Sequence, residues 1–329
     1  MASRIGVSFD GFAPLGEAVE IARSAVAAGA ASLWMAEHLG YREAILSCLA
    51  FALATERATV VPTAVSPYIM HPTPTAMALA TMAEAAPGRV ALAVGIGNPL
   101  FLQESGVVVE KPVRAVRELV EALRALWSGE PVHQPAMLFR LAGARLAFRP
   151  PAPIPIYLAP MKEQMLRLAG RIGDGVVLSA GLSPGFVAHS LALAVAGARE
   201  AGRDPGALRK AGYLYFLVSR DERQAVETVR QRLAFLFRNR YLDENLAHSG
   251  IPIDQPAIIA AISRRDFAAA ARLVPDEAVE AFAVCGSPAR CRDRLAAYVA
   301  AGLDEPVLVM AGRPEDRALG LQLVRELAG

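Results

Sequence analysis

Eight short, nearly continuous apolar runs alternate along this chain with Ala/Leu/Arg-rich segments of helical period. That alternation restricts the fold more than any other feature of the sequence. The runs are RIGVSF (4–9), SLWMAE (32–37), TVVPTAVS (59–66), RVALAVGI (89–96), IPIYLAP (154–160), GVVLSA (175–180), GYLYFLVS (212–219) and EPVLVMA (305–311). Runs that are apolar throughout, instead of alternating, are what parallel strands covered on both faces require. Helices are expected over 14–29, 42–56, 73–86, 112–128, 163–173, 184–202, 221–247 and 288–302. Eight strands alternating with helices predict an α/β fold, a (β/α)8 TIM barrel spanning 1–329 as one domain. An open dinucleotide-binding sheet would place G-x-G-x-x-G after the first strand, and SFDGFAPLG does not supply it.

Two stretches interrupt the alternation. Residues 129–153, after the fourth helix, read as an inserted β-hairpin with Gly143 in its turn and a Pro-rich return. Residues 249–285 read as a helical insertion before the eighth helix. Such excursions are expected to shape the substrate site, because barrels build their active sites from loops at the C-terminal ends of the strands. The apolar PAMLF and IPIDQPAIIAAI within them fit a partly hydrophobic pocket or lid, and fit burial against the barrel equally well.

Composition excludes several classes. With 54% hydrophobic and 20% charged residues, the chain can bury a large core and is not of the disordered type. A net charge of +2 gives no reason to expect a nucleic-acid partner. No apolar run reaches the ~20 residues that span a bilayer, and MASRIGVSFDG enters a strand at once without a signal-peptide core. Three cysteines, Cys48, Cys285 and Cys291, lack a close-paired metal spacing and read as reduced thiols of a cytoplasmic protein.

The strand ends are thin in ionisable groups. Asp10, Glu37, His38, Lys162 and Arg220 are the candidates; no carboxylate pair, no His-x-His or Glu-x-x-His metal pattern and no G-x-S-x-G elbow stands out. Few charges among many small residues suit a flat ligand that brings its own reactivity, a cofactor. His38 can hydrogen-bond a ring carbonyl or relay a proton, or it can merely cap its loop. Glu37 is either beside the same ligand or a solvated carboxylate. Tyr68 and His71, in TAVSPYIMHPTPT, either project over the strand ends or pack beneath the loop. GIGN (95–98) lets backbone approach a ligand closely. Lys162, at the start of the fifth helix, is either an exposed lysine or a phosphate ligand aided by the helix N-terminus.

Taken together, SLWMAEHLGYREA, the T-E-R before strand 3, P-Y-x-x-H-P after it, G-R-x-x-L-x-x-G-x-G at strand 4 and A-G-R-x-x-D-G at strand 6 resemble the bacterial luciferase-like flavin-dependent oxidoreductases. The branch resembled is that of methylenetetrahydromethanopterin reductase and other coenzyme F420 enzymes. The resemblance covers nearly the whole chain. It implies hydride transfer or monooxygenation of a small organic substrate, with FMN or coenzyme F420 bound at the strand ends, and a homodimer or higher assembly. It also implies a non-prolyl cis peptide at Ala64–Val65. His38 and Glu37 become the catalytic candidates near the ring. Ala64, Val65, Gly97, Asn98, Ala159, Pro160, Met161 and Lys162 become the cofactor-binding candidates, and no metal is expected. Three departures stand out: Glu37 where Asp is common, Asn98 where some members carry a Glu acid, and Lys162–Glu163 in place of Gly-Pro. They motivate a competing reading, a cofactor-free family member that serves as a binding or assembly protein. A cofactor-free hydrolase or aldolase finds no convincing nucleophile at any strand end.

Overall fold

The computed structural model describes residues 4–179 and 181–328. All eight expected strands are present. The first four are β1 (Gly6–Phe9), β2 (Ser32–Ala36), β3 (Thr59–Thr63) and β4 (Leu92–Val94). The hairpin β5 (Val132–Pro135) and β6 (Arg140–Ala144) follows, then β7 (Ile156–Leu158), β8 (Gly175–Leu178), β9 (Arg209–Val218), β10 (Ala283–Gly286) and β11 (Glu305–Met310). Ala180, expected at the end of the sixth strand, lies outside the described residues. Apart from the antiparallel hairpin, the strand pairs are parallel and the chain has the (β/α)8 fold.

Between the strands run α1 (Leu15–Ala27), α2 (Ala44–Ala54), α3 (Pro72–Ala85), α4 (Pro99–Glu104), α5 (Pro112–Trp127), α6 (Glu163–Ile172) and α7 (Pro184–Glu200). Then come α8 (Glu222–Phe237), α9 (Asp243–His248), α10 (Gln255–Ser263), α11 (Phe267–Arg272), α12 (Asp276–Phe282), α13 (Pro288–Ala300) and α14 (Pro314–Ala328).

The chain divides into two compact units. The larger comprises Gly6–Val177 and Leu193–Arg209. In it β1 pairs β2, β2 pairs β3, β4 pairs β7 and β7 pairs β8, while bridges Val60–Val90 and Val65–Val94 join the third strand to the fourth. Its core is built from Leu33, Trp34, Met35, Phe51, Val60, Leu79, Leu92, Leu119, Ile156 and Leu158, all buried. The other unit holds Leu178–Ala192 and the chain from Lys210 onward. There β9 pairs both β10 and β11 around buried Phe216, Phe237, Phe282 and Tyr298. The buried Tyr298 hydroxyl donates to the Leu182 carbonyl at 2.6 Å, which satisfies its polar end.

Several local expectations are corrected. The hairpin is present, but its turn lies over 136–139, where the Ala136 N–H donates to the Phe139 carbonyl; Gly143 sits in β6 at φ +91. The segment expected as one helix over 221–247 breaks into α8 and α9. The 249–285 insertion carries α10, α11 and α12 joined by loops, and its final residues enter β10 because AVCG is buried throughout and finds the edge of β9. Helices α4 and α14 are additions. The non-prolyl cis peptide joins Thr63 to Ala64, one bond earlier than Ala64–Val65, because β3 ends at Thr63.

The three cysteines are free and buried. Burial pushes the Cys285 thiol up to about 11 and the Cys291 thiol up to about 12. Among the described residues no helix is long and apolar enough to cross a membrane.

Candidate active site

The C-terminal ends of β2, β3, β4 and β7 are tied to one another by a chain of hydrogen bonds. Glu37 N–H donates to the Thr63 carbonyl (2.6 Å), Val65 N–H to Ala93 (2.9 Å), Gly95 N–H to Val65 (3.1 Å) and Ala159 N–H to Val94 (2.8 Å). The Ser66 hydroxyl donates to the Ile96 carbonyl at 2.9 Å. Backbone at this rim is therefore satisfied by neighbouring strand ends, and the side chains on it are held on a rigid frame.

His38 is anchored to that frame. Its Nδ1 lies 2.8 Å from the carbonyl oxygen of Asp10. A carbonyl only accepts, so Nδ1 carries the proton, and in the neutral ring Nε2 presents its lone pair. The ring stacks on Phe12 at 5.3 Å and meets the edge of Phe101 at 5.5 Å and Tyr41 at 6.5 Å. The loop that carries Phe12 is held by Arg42, whose Nη1 donates to the Gly11 and Phe12 carbonyls. An imidazole fixed in tautomer and plane, with one nitrogen available, is equipped to accept or deliver a proton at a defined point.

Glu37 has a different occupation. Its Oε2 accepts from the Ala44 N–H at the start of α2, at 2.8 Å. Burial pushes its carboxyl up, against the pull of the Ala44 N–H and with a further push from Glu43. One oxygen of Glu37 thus serves as a helix cap immediately beside His38.

The cofactor-binding candidates lie on the same rim in three groups. Ala64 and Ala159 are brought together around Gly95: a Cβ on Gly95 would meet the Ala64 Cβ at 3.1 Å and the Ala159 Cβ at 3.2 Å. Val65 and Pro160 are buried beside them. Gly97 takes φ +90, a left-handed turn that lets the chain pass from β4 into α4. Asn98 is exposed, and its Oδ1 accepts from the Leu100 N–H at 3.0 Å as the cap of α4. Met161 and Lys162 are half-buried and lead into α6, which begins without a side-chain cap. The adjacent Glu163 carboxylate is engaged by Arg167 at 2.8 Å. The first N–H groups of α6, next to Lys162, are of the sign that suits an anion.

Tyr68 and His71 are both tied down. The Tyr68 hydroxyl donates to the Glu110 carbonyl at 2.5 Å, and burial raises its pKa. His71 Nδ1 accepts from the Thr73 N–H at 3.2 Å, capping α3.

The pattern of the luciferase-like monooxygenase family matches residues 3–305. The chain belongs to that family. The 5,10-methylenetetrahydromethanopterin reductase of Archaeoglobus fulgidus is 29% identical over 297 residues, which cover 88% of each chain. The structure of the coenzyme F420 dependent tetrahydromethanopterin reductase from Methanopyrus kandleri superposes with a TM-score of 0.90 at 24% identity, covering 99% of this chain and 98% of that one. An F420-dependent secondary alcohol dehydrogenase, solved with an F420–acetone adduct, gives 0.83 at 24% identity over the same shares. These superpositions establish that the luciferase-like fold extends along nearly the whole chain.

Two of the motifs that carry the likeness to luciferase-like proteins turn out to brace the scaffold. Arg89, of G-R-x-x-L, donates to the Ala58 and Ala52 carbonyls. Asp174, of A-G-R-x-x-D-G, accepts from the Ile156 N–H at 2.8 Å and from Arg124 at 2.9 Å. The residues that sequence reasoning missed are the aromatic neighbours of His38, namely Phe12, Tyr41 and Phe101. Only Phe12 left a signal, three positions beyond a predicted strand end.

The residues present fit a flavin-type ring. The strand ends offer small side chains, an imidazole with one free nitrogen and aromatic rings, and α6 offers an anion-binding start. This donor set suits a planar heterocycle with an anionic arm and is poor in charges that would repel one.

Proposed function

We propose that this luciferase-like protein is an oxidoreductase that uses a flavin-type cofactor, with coenzyme F420 favoured over FMN, to move hydride to or from a small organic substrate. The observation that carries the reading is His38, fixed by the Asp10 carbonyl with Nε2 available, on a rim of small strand-end residues. Two of the similar proteins named above are called F420 enzymes, which supports the deazaflavin over FMN. When bound, such a cofactor would supply the hydride chemistry. His38 Nε2 would hold or move the accompanying proton; Ala64, Val65, Gly97, Asn98, Ala159 and Pro160 would hold the ring; and Met161, Lys162 and the start of α6 would hold the anionic arm. Glu37 is assigned a positioning role, because its carboxylate fastens α2 next to His38. Monooxygenation belongs to the FMN alternative. The 1–329 chain is read as one luciferase-like domain, with the 129–153 insertion, in the same unit as His38, helping to select substrate.

The test is an absorbance and fluorescence titration of the purified chain with coenzyme F420 and, separately, with FMN. Saturable binding of F420 is expected, together with a roughly tenfold or larger loss of affinity in Lys162→Ala, as for a charge-assisted contact worth ~1.5–3 kcal/mol. Tighter binding of FMN would transfer the assignment to flavin chemistry. Binding of neither would favour the cofactor-free reading.

A homodimer is proposed on separate grounds. Leu46 and Leu53 on α2 are 67% and 70% exposed, and their seven-residue spacing puts them on one helical face. Met77 on α3 is also exposed. Apolar groups so arranged suit contact with a second copy. Leu46→Glu/Leu53→Glu is expected to shift the chain to monomer in sedimentation velocity, and an unchanged sedimentation coefficient would refute this face as the interface. The reduced state of the three buried thiols supports a cytoplasmic setting, which localisation of the tagged chain in cells would check.

A further inference from the structure

We propose that His189, Glu244 and His248 form a binding site for a divalent transition-metal ion of the zinc class. The proposal is independent of the cofactor reading and concerns residues outside the rim described above. His189 lies on α7, while Glu244 and His248 are four apart on α9 and so share one face. His189 Nε2 is 3.7 Å from Glu244 Oε1. The His189 and His248 rings are 4.2 Å apart with an interplanar angle of 31°. One ligand atom from each of the three lies within 4.8 Å of the other two.

Donors bound to zinc at ~2.0–2.2 Å in a tetrahedron are roughly 3.3–3.6 Å apart. The three groups therefore need a further approach of about an ångström, which rotamer adjustment of half-exposed side chains provides. Their backbones are already positioned. Asn245, between Glu244 and His248, is 2% exposed, and its amide donates to the Gly181 carbonyl, which fixes α9 against the segment leading into α7. Leu246 is buried on the same helix. Phe186, one turn before His189, lies 6.2 Å from its ring and 5.7 Å from that of His248, forming an apolar wall behind both imidazoles.

Two imidazoles and one carboxylate select the metal. Imidazole suits zinc, cobalt, nickel and copper, while magnesium and calcium prefer oxygen sets. Three protein ligands leave a fourth position for water. His248 is exposed and His189 and Glu244 are half-exposed, so an ion reaches the site from solvent. Such an ion would join α9 to α7 by direct bonds and act as a clamp on the 239–250 segment. No linear motif announces it, because Glu244 and His248 stand 55 and 59 positions from their partner His189.

The test uses the full-length chain without a histidine tag, stripped with a chelator and titrated with zinc chloride by calorimetry. Cobalt is used in parallel for its visible ligand-field band. One zinc ion per chain is expected, with a rise in melting temperature and a tetrahedral cobalt spectrum. His189→Asn, Glu244→Gln and His248→Ala should each weaken zinc binding by about tenfold or more, while His133→Ala, on the exposed hairpin, should not. The conservative shapes of Asn and Gln and the exposure of His248 keep the variants folded, which circular dichroism checks. Equal zinc affinity in the wild type and in His189→Asn/His248→Ala would overturn the proposal, as would the absence of any saturable binding.

Discussion

Gly170→Ala should destabilise this protein by about 3 kcal/mol or more, near or beyond the upper end of typical overpacking costs. Gly170 lies on α6 where that helix crosses α7. A Cβ there would sit 1.8 Å from the Ala194 carbonyl oxygen and 2.6 Å from the Ala198 nitrogen. Both are backbone atoms, so no side-chain rotation relieves the clash. The helices would have to part by roughly 1.5 Å to restore ordinary contact. Parting them would stretch the bond from Arg203 Nη1 to the Gly170 carbonyl, 2.7 Å, and the pairs that Arg167 and Arg171 make with Glu200. The reciprocal contact is at Gly197, whose Cβ would lie 2.1 Å from the Arg167 carbonyl oxygen. Gly197→Ala should therefore cost a similar amount. The double variant should cost less than the sum, because one separation of the helices accommodates both methyl groups. Gly16→Ala is the control: it lies in the first turn of α1 with nothing within 4 Å of the new methyl. It should be neutral or stabilising by roughly 0.5–1 kcal/mol. Urea unfolding of the three single variants decides the matter, and a Gly170→Ala midpoint equal to wild type would refute the close-packing account.

The contrast between these glycines shows what a sequence conveys and what it withholds. Strand and helix positions were legible because each is written locally. SLWMA is apolar on both faces, and Pro72 opens α3 where a helix tolerates it. The crossing of α6 and α7 is written in Gly170 and Gly197, but nothing local marks them as partners 27 positions apart. The same limit explains the site. His38 could be chosen as a strand-end histidine, yet its tautomer depends on Asp10, 28 residues earlier. Glu37 read either as a carboxylate beside the ligand or as a solvated one, because its bond to the Ala44 N–H becomes visible only when α2 folds back over the strand end. Asn98 and His71 are likewise local caps in the structure, although either could have faced a ligand. Arg89 and Asp174 were informative in another sense. Their residue types were recognisable as part of a family pattern, and their chemistry is to saturate backbone groups between elements, so they report the fold more directly than the reaction.

The second large effect concerns His38. Under the proposed function, His38→Ala should lower kcat with F420 and an accepted substrate by about 10²–10⁴-fold, the usual contribution of a positioned acid or base. Cofactor affinity should change far less. The alanine variant alone would not separate proton transfer from positioning, since it also removes the bond to Asp10 and the stacking on Phe12. His38→Asn makes that separation: its side-chain NH2 can still donate to the Asp10 carbonyl, as Nδ1–H does, but it cannot move a proton. If His38 transfers a proton, Asn should be nearly as slow as Ala, and the pH dependence of kcat should flatten in both. If His38 only braces the β1 and β2 ends, Asn should recover most of the activity and keep the wild-type pH profile. Glu37→Gln provides the matching test of the neighbour. Gln can still accept from the Ala44 N–H through its carbonyl oxygen, so a positioning Glu37 predicts near-normal kcat, whereas Glu37→Ala releases the start of α2 and should lower both stability and kcat. A Glu37→Gln variant as impaired as His38→Ala would show that the carboxylate itself enters the reaction, and Glu37 would then move from support to chemistry.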